Sequence, residues 1–293
     1  MEIIKVTNIN SKAVPPHSTK LTSQLGFLFH TARRIPVYLV NPELMDLIYP
    51  PEKRVVIDEE KLKEKMKQYE EVEMDEIPME DILKSSKKEI SPEGKEEIII
   101  AVGVYIHKDT NNKISSHISK IDNSFTINFP AIFISPERVY NWADRINISP
   151  DIPFADVLYH ELCHAYIYNP NKKGDIFKII EESYCNAIAF SRFNKVEEIE
   201  EVMKAIDNQP FEYRGYTCFI DKPSLFWYSL YLHPVEPLDF LHYLWIRYPR
   251  DFLLFNDIFR IFQLIWKKDK YIQDPNKFYK YLAYFITKEI LGE

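Results

Sequence analysis

Five consecutive residues, His160-Glu161-Leu162-Cys163-His164, combine two imidazoles and a carboxylate in the pattern HExxH. On a helix, residues four apart lie about 40° apart around the axis and one turn along it, so both imidazoles can reach one ion. Glu161 stands about 100° from His160, where its carboxylate can approach a water at the metal without being a ligand. These residue types suit a zinc site in which a neighbouring carboxylate serves as general base. A catalytic zinc takes three protein ligands and keeps one position open, so a third ligand must come from elsewhere in the chain.

Continuation as HExxHxxGxxH would need glycine and histidine where the chain has Ile167 and Pro170, which excludes the metzincin arrangement. Eighteen residues past His164 lies Glu182, within Glu181-Glu182-Ser183-Tyr184-Cys185-Asn186-Ala187-Ile188-Ala189-Phe190. This segment resembles the second zinc-binding helix of the gluzincin branch of zinc metallopeptidases, where a ligand glutamate is followed four positions later by Asp, Asn or Glu. The resemblance implies Glu182 as third ligand and Asn186 as the residue that orients a ligand histidine through its other ring nitrogen. Glu181 is the alternative ligand and would put Cys185 in the orienting place, where a thiol is chemically less suited to hold an imidazole. Glu-x-x-Cys-Asn-x-Ile-Ala is also similar to the small regulatory metalloproteases that cleave bacterial repressors, which usually show Glu-x-x-Ala-Asn-x-Phe-Ala. The likeness spans about residues 153–190. It implies an α+β, zincin-like fold, with a mixed and mostly antiparallel sheet ahead of the HExxH helix and a helical C-terminal subdomain behind it.

The chemistry expected of such a site is hydrolysis of a peptide bond in a peptide or protein substrate. Zn2+ held by His160, His164 and Glu182 would polarise the scissile carbonyl, and Glu161 would take a proton from water and pass one to the leaving amine. An oxyanion partner is also required, commonly a downstream Tyr or His in this class. The candidates are Tyr213, Tyr216, Tyr228, Tyr231, His233 and His242, and His233, beside Pro234 where a helix must end, has the most loop-like setting. An edge strand within Phe125 to Ile134 is expected to border the sheet and could bind substrate by β-addition. The alternative from another class is an inactive zincin-shaped metal-binding or regulatory protein, whose site is structural and whose acidic segment contacts a partner.

The elements that must hold these residues are legible in outline. Strand-like runs occur at Ile3 to Val6, Leu25 to Phe29, Ile35 to Val40, Ile98 to Ile106 and Phe125 to Ile134. Residues 58–97 turn sharply to Lys and Glu and read as a solvated insertion, an exposed helix from Glu59 to about Glu71 and then a loose acidic loop. Ser135 as N-cap and Pro136 at the first helical position open a helix to Ala143. Phe154, Val157, Leu158, Leu162 and Ala165 supply the apolar stripe of the HExxH helix, which Asn169-Pro170 stops. A second helix, with Asp175 as its cap, carries the glutamates. Beyond Pro210, helical segments are expected at 224–232, 238–247, 251–267 and 276–291, with Phe252, Phe255, Phe259, Phe262 and Trp266 as core. This organises the chain as an N-terminal α+β part (1–150), metal-binding helices (151–208) and a helical C-terminal subdomain (209–293).

Composition removes other classes. The 293 residues carry 37 basic and 44 acidic side chains, a formal charge of −7, which argues against a nucleic-acid groove. Only six glycines occur, and none are spaced as GxGxxG or a Walker A loop, so those phosphate-binding fingerprints drop out. Cys163, Cys185 and Cys218 are an odd set in a long chain, which favours free thiols in a reducing compartment over a disulfide framework. The first residues lack a basic and apolar leader pattern, and no run approaches a membrane span. The expectation is a cytoplasmic protein with no membrane partner. Cys163 reads as a small buried hydrophobe, His107 and His117 as surface residues, and His17 and His30 lack metal-ligand spacing.

Overall fold

The computed structural model describes residues 4–13, 15, 18–50, 55–73, 76–89, 101–168, 173–193, 195–221 and 275–292. Its strands, in chain order, are β1 (Val6–Asn8), β2 (Val37–Leu39), β3 (Val55–Ile57), β4 (Lys87–Glu89), β5 (Gly103–Ile106) and β6 (Ala131–Ile134). Its helices are α1 (Ser18–Ser23), α2 (Phe29–Ala32), α3 (Pro42–Ile48), α4 (Glu59–Lys67), α5 (Met79–Ser85), α6 (Lys113–Ile121), α7 (Pro136–Ile146), α8 (Asp151–Ile167), α9 (Asp175–Phe190), α10 (Val196–Asp207), α11 (Tyr216–Asp221) and α12 (Pro275–Leu291). The chain divides into two units, one from 1–55, 89–166 and 188–209 and the other from 56–88, 167–187 and 210–293. The protein is thus of mixed α+β class. No helix among the described residues is long and apolar enough to cross a membrane.

The first unit is built on a sheet of order β1-β2-β6-β5. β1 pairs with β2 and β2 with β6 in parallel, and β5 with β6 antiparallel. A mostly antiparallel sheet was the expectation, and parallel pairing prevails instead. Helical connections such as α1 and α2 between β1 and β2 give the chain the length a parallel crossover requires. The register sorts the side chains, because residues directly opposite share a face. Tyr38, Phe133 and Ala131 lie on the face that forms a core with Leu44, Met45 and Ile48 of α3 and Ile114 and Ile118 of α6. Val37, Leu39, Ile132 and Ile134, all buried, lie on the other face together with Gly103 and Tyr105. A Cβ built on Gly103 would stand 2.5 Å from Val157 Cγ1, so that face is the one covered by α8.

Three strand expectations change. The segment Phe125 to Ile134 is not an edge strand: Pro130 precedes β6, and β6 lies inside the sheet between β2 and β5 with all four residues buried. The unbroken run Ala131-Ile132-Phe133-Ile134 is what a strand covered on both faces requires, and a proline ahead of it removes no ladder bond within it. The edge next to β6 is β5. Leu25 to Phe29 is helical, with Gly26 at φ 54 ahead of α2 and Leu21, Leu25, Leu28 and Ala32 buried at helical spacing. Ile98 to Ile100 lie outside the described residues, and β5 occupies the end of that run.

The second unit shows why the charged stretch is not a solvated helix and loop. Asp58 caps α4, its carboxylate accepting from Lys61 N at 3.2 Å, while Leu62 and Met66, one turn apart, are buried. In α5, Met79, Ile82 and Leu83 are buried, and this helix packs on α4 and α12. The many Lys and Glu side chains occupy the outward faces of helices whose inner faces are apolar. β3 and β4 form a two-stranded sheet. α9 is fixed here: Ser183 Oγ donates to Glu212 O at 2.9 Å, Lys178 pairs with Glu212 at 2.6 Å, and Phe177 meets Tyr279 edge to face at 4.6 Å. α12 answers the expected helix over 276–291. The segments 224–232, 238–247 and 251–267, and the aromatic stripe from Phe252 to Trp266, lie outside the described residues.

Candidate metal centre

α8 is buried almost all round: Phe154, Ala155, Val157, Leu158, Tyr159, Leu162, Cys163 and Ile167 are core residues. Its rotation about its own axis is fixed by Tyr159, whose hydroxyl donates to Leu21 O at 2.9 Å and whose ring meets Phe193 edge on at 5.9 Å. Burial pushes that phenol far above its ordinary pKa, so it stays a neutral donor. With the helix so held, His160 and Glu161 are buried and His164 is half-buried. The Nε2 atoms of His160 and His164 are 2.9 Å apart and the rings cross at 73° with centroids 4.6 Å apart. The i, i+4 spacing therefore does what the sequence implied: both rings present Nε2 to one point.

Glu161 points toward the sheet. A Cβ on Gly103 would stand 3.2 Å from Glu161 Cγ and 3.3 Å from Glu161 Oε1, so β5 passes directly over this carboxylate. Gly103 is needed for closeness of approach, a requirement the sequence did not signal. Nitrogen of His160, nitrogen of His164 and a carboxylate oxygen of Glu182 all lie within 4.8 Å of one another, and this group could hold a metal ion. The donor set fits: two imidazoles and one carboxylate suit a borderline divalent cation. Glu181 is not a member of the group. The adjacent glutamates project about 100° apart on α9, and only Glu182 joins the donor group among the described residues.

Asn186, one turn past Glu182, is buried and donates from Nδ2 to Tyr213 O at 3.1 Å, which sets its amide plane. Tyr213 is thereby brought against α9, whereas Tyr216 is a core residue of α11. Tyr228, Tyr231, His233 and His242, and with them the favoured oxyanion candidate, lie outside the described residues. Ser135 stands at the cap position of α7, but its buried hydroxyl makes no cap bond. Asp175 is the first residue of α9 rather than its cap, with its N–H given to Glu80 and its carboxylate to Lys87. Cys163, Cys185 and Cys218 are buried and not in disulfides. His107 is exposed, and its Nδ1 lies 3.0 Å from Tyr105 Oη; His117 is half-buried and His30 exposed.

One polar residue of α8 escaped the sequence reading. Asp156, four positions before His160, is buried, and neither carboxylate oxygen has a hydrogen-bond partner among the described residues. Burial pushes its pKa up to about 7, against a downward pull from His160. The signal was present in the sequence as an acid inside the apolar run Phe154-Ala155-Asp156-Val157-Leu158.

Comparisons with protein-family models, with characterised proteins and with solved structures give no match.

Proposed function

We propose that the protein is a zinc-dependent metallopeptidase in which His160, His164 and Glu182 hold the ion and Glu161 is the general base. The observation that carries this reading is the convergence of the two Nε2 atoms and the half-buried Glu182 carboxylate, with a buried carboxylate, Glu161, on the same turn as the histidines. Bound zinc supplies Lewis acidity toward a carbonyl oxygen and toward water near neutral pH. Glu161, next in sequence to a ligand yet outside the donor group, is suited to take a proton from the attacking water and return one to the leaving amine. Its buried setting against β5 restricts the positions that its carboxylate can take, which supports a defined role for it at the site.

With β6 inside the sheet, β5 is the strand that could take a substrate by β-addition. Among the described residues this is an edge strand, and its Gly103 shares a face with Tyr105 toward α8. An extended peptide added along β5 would gain main-chain hydrogen bonds while passing Glu161.

The test pairs metal analysis with catalysis. Protein purified without added metal is expected to carry close to one zinc per chain by mass spectrometry and to cleave a peptide library, with cleavage lost on chelation and restored by zinc. Bound zinc without cleavage of any peptide would favour the inactive regulatory alternative. Absence of metal, with none taken up from micromolar zinc, would end the metallopeptidase reading.

A further inference from the structure

The sheet register sorts the side chains of the face toward α8 into rows. Leu39, Ile134 and Gly103 make one row, and Val37, Ile132 and Tyr105 make the next. Both rows end at β5, and among the described residues no strand pairs with its other edge. The first row ends over the candidate site, because a Cβ on Gly103 would stand 3.2 Å from Glu161 Cγ. The second ends in an aromatic ring: Tyr105 is half-buried, while Val37 and Ile132 behind it are buried. His107, two residues on, is exposed and steadies that ring. Its Nδ1 lies 3.0 Å from Tyr105 Oη, and the two rings meet at 61° with centroids 6.4 Å apart. A ring already fixed loses little freedom when a further side chain packs on it.

A peptide laid along the outer edge of β5 would add one member to each row, since directly opposite residues share a face and stand about 4.5–5.5 Å apart at Cβ. Its residue beside Gly103 then sits next to Glu161, and its residue beside Tyr105 is two positions along and faces the ring. This holds for either chain direction, which decides only the side of the cleaved bond on which the second residue falls. We propose that Tyr105 is a specificity-determining residue: it selects peptide substrates with an aromatic or β-branched side chain two residues from the one beside Gly103. Pairs of an aromatic side chain with an aromatic or β-branched one are favourable across strands. The row that such a side chain extends is apolar, with Val37 and Ile132 buried behind the ring. The assignment rests on the metallopeptidase reading for its place beside a cleaved bond, whereas packing of a peptide against Tyr105 needs no metal.

The test places Phe, Val, Ala and Asp in turn at each position of a labelled peptide. Binding to the chelator-treated full chain is followed by fluorescence anisotropy, and cleavage by the zinc-loaded chain is followed in parallel. One position is expected to favour Phe and Val over Ala by about 2- to 10-fold, in both Kd and kcat/KM. Tyr105→Ala is expected to erase that preference, through KM rather than kcat, and Tyr105→Phe, which keeps the ring, to preserve most of it. Should Tyr105→Ala not fold, Tyr105→Thr, a strand former without a ring, is the second variant, and the same loss is expected. A preference that survives removal of the ring, or a parent without any positional preference, overturns the proposal. Preferential binding without cleavage supports the role of Tyr105 and counts against the peptidase reading, whereas cleavage with no preference that depends on Tyr105 does the reverse. Self-association of the chain that Tyr105→Ala abolishes, with no peptide preference, would assign the edge to a second copy and also overturn the proposal.

Discussion

At the scale of single residues, the proposed function expects different consequences from changing each of three glutamates, Glu161, Glu181 and Glu182. Glu161 is buried beside the ligands without belonging to the donor group, so Glu161→Gln is expected to keep the metal and lower turnover by about 10²- to 10⁴-fold, the usual share of a general base. Steady-state kinetics with parallel metal analysis checks this, and hydrolysis surviving at the parental rate would remove Glu161 from the role. Glu182→Ala is expected to lose most of the metal, while Glu181→Ala retains it. Equal retention by both variants would mean that neither acid binds.

At the scale of elements, the approach of β5 to α8 leaves no room at Gly103. Gly103→Ala puts a methyl group 2.5 Å from Val157 Cγ1, and overpacking of that kind costs about 1–3 kcal/mol. Trimming the opposing side chain should relieve it, so Gly103→Ala with Val157→Ala is expected to lie closer to Val157→Ala than the two single effects summed, as measured by urea denaturation. α6 offers a second case. Its start is capped from outside by Asp109, which accepts from Ile114 N at 2.9 Å, Ser115 N at 2.8 Å and Ser115 Oγ at 2.7 Å. Partial burial pushes the Asp109 pKa up, but the bonds from Ser115 and Ile114 outweigh it and hold the pKa below its ordinary value. The folded-state pKa is depressed, so this stabilisation is present above the ordinary aspartate range and lost as pH falls through the lowered value. Asp109→Ala is expected to cost about 1 kcal/mol at pH 7, with the difference from the parent closing in acid. A gap that stays constant down to pH 2 would contradict the capping role.

At the scale of the whole molecule, an ion that binds only the folded chain adds stability by mass action. Removing zinc with a chelator is therefore expected to lower the melting temperature, and adding zinc to raise it in a concentration-dependent way. His164→Ala, which removes a half-buried donor, should abolish the shift. A parent protein whose melting temperature ignores both chelator and zinc would show that the donor group holds no ion in the folded state.

The amino-acid sequence by itself determined the histidine pair and its attendant Glu161, because HExxH is a local device: one helix turn brings residues 160 and 164 together wherever that helix sits. It also determined the α+β class and the presence of α7, α8, α9 and α12, which follow from apolar spacing and proline positions, while their bounds shifted: α7 runs to Ile146 rather than Ala143, and Asp175 opens α9 instead of capping it. That Glu182 and not Glu181 belongs to the group that could hold an ion depended on the fold, since two neighbouring glutamates are chemically alike and differ only in the direction in which α9 turns them. The interior place of β6 was equally out of reach: its apolar run shows burial on two faces, but strand neighbours are set by pairings between distant segments. Gly103 acquired meaning only from what lies against it, a helix across the sheet face. Local periodicity is written in adjacent residues, whereas the convergence of separate elements is decided by the burial they achieve together, and that is a property of the tertiary structure.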